Sequence, residues 1–363
     1  MSLTLAPTQP TAISSELLAT VADNAAAVDA GKIPARYALE LLAAEGSLEL
    51  GLAGNADGQL LEQVRVIRAL AERDLSVAFS AWAHRMTAEY LSAAATPTPL
   101  LRSYAQDLRA GTHPGVTGMA SVMKTVAGCG HLDLEARQVE GGFVVSGTIA
   151  WASNLAADSI IVTGATVPGK DPGAIIFAVR ADQEGVSLAK PFELLGLNAT
   201  ASAGVGFADV FIPDSAVIDT DLGSFAARIR PTFALLQISE CLGVAQAAIT
   251  AAAGRLQGVQ EVFSEQQQQL ARHIDNLIND QEALACRVGG EGVDVAKLLR
   301  LRLDAAQAAT AAAAVEVRVA GGAGYAKSSP ASRRFREAAF IPVQSPSEAQ
   351  LRWELARAEG KEV

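Results

Sequence analysis

The sequence predicts a multidomain α+β chain in three parts: an N-terminal all-α domain over residues 1–114, a central antiparallel β barrel or sandwich over 115–222, and a C-terminal four-helix bundle over 223–363. Three observations predict it. Apolar residues recur at helical spacing at both ends of the chain, the texture changes to short β-branched runs in the middle, and 363 residues exceed one compact core.

In the first part, Leu17, Leu18, Val21 and Val28 fall on one helical stripe, as do Leu39, Leu41 and Leu42, and later Val64, Ile67 and Leu70. Turn residues at Gly31–Pro34, Gly54–Gly58 and Thr96-Pro97-Thr98-Pro99 separate these helices.

Between about Gly115 and Asp221 the runs Phe143-Val144-Val145, Ser159–Val162, Ala174–Val179 and Val205-Gly206-Phe207 read as strands, each bounded by Gly, Asp or Pro. Glu140-Gly141-Gly142 reads as a hairpin turn. No long helical pattern lies between these runs, so antiparallel pairing is expected rather than a doubly wound nucleotide-binding sheet.

From Phe225 onward the helical period returns in Ala-rich segments at Pro231–Ala253, Val262–Cys286 and Val293–Ala320, with a last helix near Ser347–Glu359. Four such helices make a bundle, and Gly289-Gly290-Glu291-Gly292 is its clearest internal turn.

A net charge of −10 with no Lys/Arg-rich run argues against nucleic acid as a partner. No apolar run is read as long enough for a bilayer, and Met1-Ser2-Leu3-Thr4 lacks a basic n-region, so a soluble cytoplasmic protein without a membrane partner is expected. Cys129, Cys241 and Cys286 are odd in number and widely spaced, which points to free thiols. The four histidines have no metal-ligand spacing, so no metal is expected.

The chain closes on Gly321-Gly322-Ala323-Gly324-Tyr325, then Pro330, the run Arg333–Ala338, and Phe340-Ile341-Pro342-Val343-Gln344-Ser345-Pro346-Ser347-Glu348. This resembles the close of the acyl-CoA dehydrogenase superfamily, with its Gly-Gly-x-Gly-Phe/Tyr turn, proline, Arg-Asp-Ala run and Tyr-Glu-Gly-Thr element. Gly147-Thr148-Ile149-Ala150-Trp151-Ala152-Ser153-Asn154 resembles the Gly-x-Lys-x-Trp-Ile-Thr-Asn signature of that family, and Leu195-Gly196-Leu197 to Phe207-Ala208-Asp209-Val210-Phe211-Ile212-Pro213 resembles the close of its β domain.

The resemblance implies a flavin cofactor, FAD or alternatively FMN. Trp151 would wall the ring and Ser153 would hydrogen-bond it, while Ser121 and Ser347 would stand where the family has cofactor-binding threonines. Arg255, Gln266, Gly321 and Gly322 would reach the flavin of a neighbouring chain, which implies a homodimer or homotetramer. Arg230 and Ala127 fall at substrate-binding positions. The implied partners are a small-molecule substrate, acyl-CoA or a relative of it, and electron-transfer flavoprotein or O₂ as electron acceptor.

The catalytic Glu of the family is missing. Laid on without gaps, its position is Ser345; the other place where family members carry a base is Ile229. Glu348, just past the usual site, and His84, on a helix that in this family faces the active site, are the candidates left for acid-base work, and a helix-terminal charge and a packed core residue are their structural alternatives. Glu240, in an apolar helix, reads as a buried structural group. Three functions follow from the resemblance: an acyl-CoA dehydrogenase-type oxidoreductase, a reduced-flavin-dependent monooxygenase on a non-CoA substrate, or a degenerate non-catalytic member.

Overall fold

The computed structural model describes residues 12–169 and 173–360; the N-terminal Met1–Thr4 lies outside them. Helices come first: α1 (Ser15–Asp29), α2 (Ala38–Ala44), α3 (Leu52–Asn55), α4 (Leu60–Arg73), α5 (Leu75–Ser92) and α6 (Pro99–Arg109). The central part holds β1 (Gly115–Gly118), α7 (Ala120–Val126), β2 (Leu134–Val139), β3 (Gly142–Ala152), β4 (Ile160–Thr166), β5 (Ala174–Arg180), β6 (Val186–Leu188), β7 (Ala203–Pro213) and β8 (Val217–Asp219). Helices return as α8 (Leu222–Ala253), α9 (Ser264–Ala285), α10 (Val295–Tyr325), α11 (Pro330–Phe340) and α12 (Glu348–Ala358).

The strands form one sheet in the order β6-β7-β3-β2-β4-β5-β8, with β1 added beside β4. Pairing is mainly antiparallel, as expected, but β4 accepts both β1 and β2 in parallel. The hairpin between β2 and β3 closes at Val139↔Gly142, and Gly141 supplies the positive φ of 76° that its tight turn needs.

One continuous core joins the N-terminal helices, the later helices and the inner side of β4 and β5, through residues such as Val64, Ile67, Leu235, Leu242, Ile160 and Ile176. Helix α8 lies at its centre. By length and composition α8 could cross a membrane, which the sequence reading had not expected, yet 89% of its most apolar window is buried inside the fold. That is the place of a core helix. Gly243 lets α8 approach α4 closely, since a Cβ there would sit 2.4 Å from the backbone oxygen of Arg68.

Helix α5 is buried over its whole face from Leu75 to Leu91, which explains its apolar character all round. Asp74 caps its N-terminus by accepting from the Val77 amide at 2.9 Å. Arg333 of α11 reaches the same carboxylate at 3.4 Å and bonds Glu337 at 2.7 Å, tying α11 to the start of α5. These two helices carry one wall of the site.

Candidate functional site

A cavity of about 500 Å³ opens between the sheet and the helices. Its β wall is the end of β3: Trp151 leaves 46% of its surface exposed, its ring 4.5 Å from that of Phe192, and Ser153 stands two residues on. Asn154 fixes this end of the strand. Its φ is +66°, its amide donates to the Thr200 carbonyl at 2.6 Å, and its side chain joins Ser80 Oγ at 2.5 Å and the Gly115 carbonyl at 2.9 Å.

Ser153 closes a chain of hydroxyls. Thr200 Oγ1 donates to the Leu197 carbonyl at 2.8 Å, so Ser202 donates to Thr200 at 2.9 Å and Ser153 in turn donates to Ser202 at 2.7 Å. The proton of Ser153 is thereby committed to the protein, and its lone pair is what it offers a ligand.

The helical wall is aromatic. Phe79 and Trp82 of α5 stack at 5.3 Å; Phe340 meets Phe79 edge-on at 5.0 Å, and Phe233 of α8 meets Trp82 at 5.1 Å. Gln344 and Ser345, in the segment after α11, complete this wall. Gln344 is buried and held on both ends of its amide, Nε2 donating to Glu240 at 2.7 Å and the oxygen accepting from Arg302 at 3.2 Å. The Ser345 carbonyl accepts from Gln237 at 2.9 Å. Among the described residues that line the cavity there is no Asp or Glu; the cations are the exposed Lys124 and Arg336, which is clamped on Asp29 at 2.6 Å.

No family model matches the chain. The bovine mitochondrial short-chain specific acyl-CoA dehydrogenase is 29% identical over 233 residues, covering 59% of this chain and 56% of that protein. The structure of butyryl-CoA dehydrogenase from Megasphaera elsdenii superposes with a TM-score of 0.84 at 18% identity over 99% of this chain and 100% of that one. A glutaryl-coenzyme A dehydrogenase in its glutaryl-CoA complex gives 0.81 at 17% identity, over 97% of this chain and 96% of that one. The chain has the fold of these acyl-CoA dehydrogenases and is similar to them in sequence over part of its length. In sequence it spans little more than half the length of the curated relatives it matches.

Set against acyl-CoA dehydrogenase positions, the expected site residues divide. Trp151, Ser153 and Ser345 meet in the cavity. Ser121 is buried in the first turn of α7, and Ala127 is the half-buried C-cap of that helix; neither lines the cavity. Arg230 is also away from the lining, its guanidinium paired with Glu354 at 2.7 Å. Ser347 caps α12 by accepting from the Gln350 amide at 3.4 Å. Arg255 is exposed in the turn after α8, and Gln266, Gly321 and Gly322 are exposed on α9 and α10, where Gln266 accepts from Arg318 at 3.2 Å.

The two acid-base candidates do not reach the cavity. Glu348 lies in the first turn of α12, bonded to Arg352 at 2.7 Å, the helix-terminal place anticipated as its alternative. His84 is buried, and both ring nitrogens are taken by backbone: Nδ1 accepts from the Gly115 amide at 3.1 Å, so Nε2 carries the proton and donates to the Leu108 carbonyl at 2.9 Å. Burial pushes its pKa down to about 4, against the raising effect of the Leu108 bond. A neutral, fully occupied imidazole ties α5 to α6 and β1.

Sequence reasoning missed the aromatic wall. Phe79, Trp82, Phe233 and Phe340 are separated by up to most of the chain, and the one local signal was a tryptophan inside a helix with no polar face.

Proposed function

We propose that the chain is a flavin-dependent oxidoreductase that takes an acyl thioester, or a related small substrate, between the β wall and the aromatic wall. One observation carries this reading: a half-exposed tryptophan face on β3 and a hydroxyl acceptor just past its end stand across one cavity from the segment that bears the superfamily's base position. An indole left uncovered beside a cavity is the natural platform for a planar ring, and Ser153 offers that ring a lone pair. The residues present therefore fit a flavin, which Trp151 and Ser153 would hold. When bound, that group supplies a two-electron acceptor; the protein orients the substrate and excludes water.

Arg255, Gln266, Gly321 and Gly322 would serve the flavin of a neighbouring chain, so a homodimer or homotetramer belongs to this reading. Electron-transfer flavoprotein and a cytoplasmic location belong to it as well. Removing a hydride from the β-carbon of a thioester also requires a base for the α-proton. No carboxylate lines the cavity among the described residues, and Glu240 reaches it only through the Gln344 amide. This favours a second reading, a reduced-flavin-dependent monooxygenase that consumes O₂ and needs no such base.

The absorption spectrum of the purified protein with added FAD tests the shared premise; a colourless protein that takes up no FAD refutes both readings. Anaerobic mixing of the oxidised holoprotein with a panel of acyl-CoAs then separates them. Bleaching of the flavin band supports dehydrogenation, and no bleaching together with rapid reaction of the reduced protein with O₂ supports oxygenation.

A further inference from the structure

A hydroxyl that can turn serves a ligand as donor or as acceptor. The Ser153 hydroxyl, on the lining of the cavity, cannot turn. Its direction is set at the far end of the hydroxyl chain, at the Leu197 carbonyl, which can only accept. Thr200 commits its one proton there. The bond at 2.9 Å between Thr200 and Ser202 then needs the proton of Ser202, and the bond at 2.7 Å between Ser202 and Ser153 needs the proton of Ser153. Any reversal breaks a hydrogen bond between buried groups, since Thr200 and Ser202 are 2% and 3% exposed.

The anchor of this chain is itself held in place. The Asn198 side chain accepts from the Leu194 amide at 2.8 Å and donates to the Leu194 carbonyl at 2.9 Å, closing the loop that carries Leu197. The Thr200 amide donates to the Leu197 carbonyl at 3.1 Å, and the Thr200 carbonyl accepts from the Asn154 amide at 2.6 Å. Asn154 directly follows Ser153, so backbone ties the two ends of the hydroxyl chain together.

An acceptor of this kind distinguishes the two redox states of a flavin. Two-electron reduction of the ring adds an N–H where the oxidised ring has only a lone pair. A freely turning hydroxyl bonds either state, whereas one with its proton locked away bonds an N–H and not a lone pair. We propose that Thr200 and Ser202 are positioning residues that lock Ser153 as an acceptor, and that the site thereby holds reduced flavin more tightly than oxidised flavin. This rests on the flavin reading above and adds to it the redox state that these residues favour.

The test is the midpoint potential of bound FAD, measured by anaerobic reductive titration against an indicator dye, with dissociation constants for the oxidised and reduced cofactor taken separately. Ser153→Ala removes the acceptor. Its ratio of reduced to oxidised affinity is expected to fall about three- to tenfold, which is about 15–30 mV for a two-electron couple. Thr200→Val and Ser202→Ala release the proton of Ser153 toward the ligand, so their potentials are expected to fall as far or further. Ser153→Thr, which keeps the hydroxyl, is expected to keep the potential of the parent protein. A residue with a merely structural role would weaken both redox states alike and leave the potential in place.

A potential that is the same in the parent, Ser153→Ala and both relay variants overturns the proposal while the flavin reading stands. A fall in Ser153→Ala with none in Thr200→Val or Ser202→Ala overturns the lock. If the relay variants take up no FAD, Ser153→Ala against Ser153→Thr decides. A parent protein that takes up neither oxidised nor reduced FAD overturns the flavin reading and the proposal with it.

Discussion

Gln344 donates from Nε2 to Oε2 of Glu240 at 2.7 Å, and this bond links the wall of the cavity to a carboxyl that never meets solvent. The other end of the same amide accepts from Arg302, which also reaches the Gln237 side chain at 3.3 Å and the Ile341 carbonyl at 3.3 Å. The segment bearing Ser345 is thus hung from a polar network buried between α8 and α10. The network is not fully satisfied: among the described residues, Glu240 Oε1 and Arg302 Nη1 have no partner. Burial pushes the Glu240 carboxyl up to about 8, only partly offset by the Gln344 bond and the Arg302 charge.

That shift has a sign in stability. The folded protein keeps a proton on Glu240 that the unfolded chain has released once the pH passes the ordinary carboxylate value. The contribution is therefore fully present below about pH 4.5 and is lost as pH rises through about 8. Urea denaturation from pH 6.5 to 9 is expected to show the midpoint falling with pH, and Glu240→Gln, which keeps the shape and stays neutral, to show a flatter profile. A variant whose profile parallels that of the parent protein would assign the slope to another group.

His84 acts in the opposite direction. Its folded pKa of about 4 lies below the ordinary 6.5, so its contribution is complete above about 6.5 and is lost as pH falls toward 4. Nitrogen-detected NMR should find this imidazole as the neutral Nε2–H tautomer down to about pH 5. Replacing it by Ala strands the Gly115 amide, a loss of roughly 1–3 kcal/mol when left unpaired in the interior, while the Leu108 carbonyl keeps the Gly111 amide at 2.9 Å. A large loss of stability with unchanged flavin binding is the outcome that a structural histidine requires.

What the sequence made legible was whatever is local. The Glu140-Gly141 turn needs only a residue at ease with positive φ, and the four strand runs fall on β3, β4, β5 and β7, with Ser159 alone lying one residue before β4. Trp151 and Ser153 were legible through the signature they sit in. Helix α7 was not, because Ser121-Val122-Met123 becomes helical through packing on α8 and β4, a tertiary effect that outweighs local pattern. For His84 the sequence left a catalytic role and a packed core residue open, because the partners that decide between them, Leu108 and Gly115, are 24 and 31 residues away. Glu240, Arg302 and Gln344 likewise meet across separations of up to 104 residues, so neither the raised carboxyl nor its link to the cavity has a local signal.

Close packing of α4 on α8 gives a prediction independent of any ligand. A methyl group added at Gly243 would lie 2.4 Å from the Arg68 oxygen and 2.6 Å from the Ala71 side chain, and backbone cannot yield cheaply there. Gly243→Ala is expected to destabilise by about 1–3 kcal/mol or more. At Gly254, the C-cap of the same helix, an added Cβ meets nothing nearer than 3.7 Å, so Gly254→Ala is expected to be neutral or slightly stabilising. Thermal unfolding of the two variants side by side checks the contrast.

Trp151 offers the converse case, a residue whose loss should matter for binding and little for folding. Nearly half its surface is open, and the ring contact it makes is with Phe192. Trp151→Ala should therefore leave the melting temperature of the flavin-free protein almost unchanged. Stacking on an aromatic face is worth roughly 1–3 kcal/mol per base or ring in comparable sites, so FAD affinity should drop at least about tenfold. Trp151→Phe, which keeps a smaller face, should fall between. Equilibrium dialysis of FAD against the three proteins measures this directly. A variant that binds FAD as tightly as the parent would show that the exposed indole is not the platform, and the β wall would lose the observation on which the flavin assignment stands.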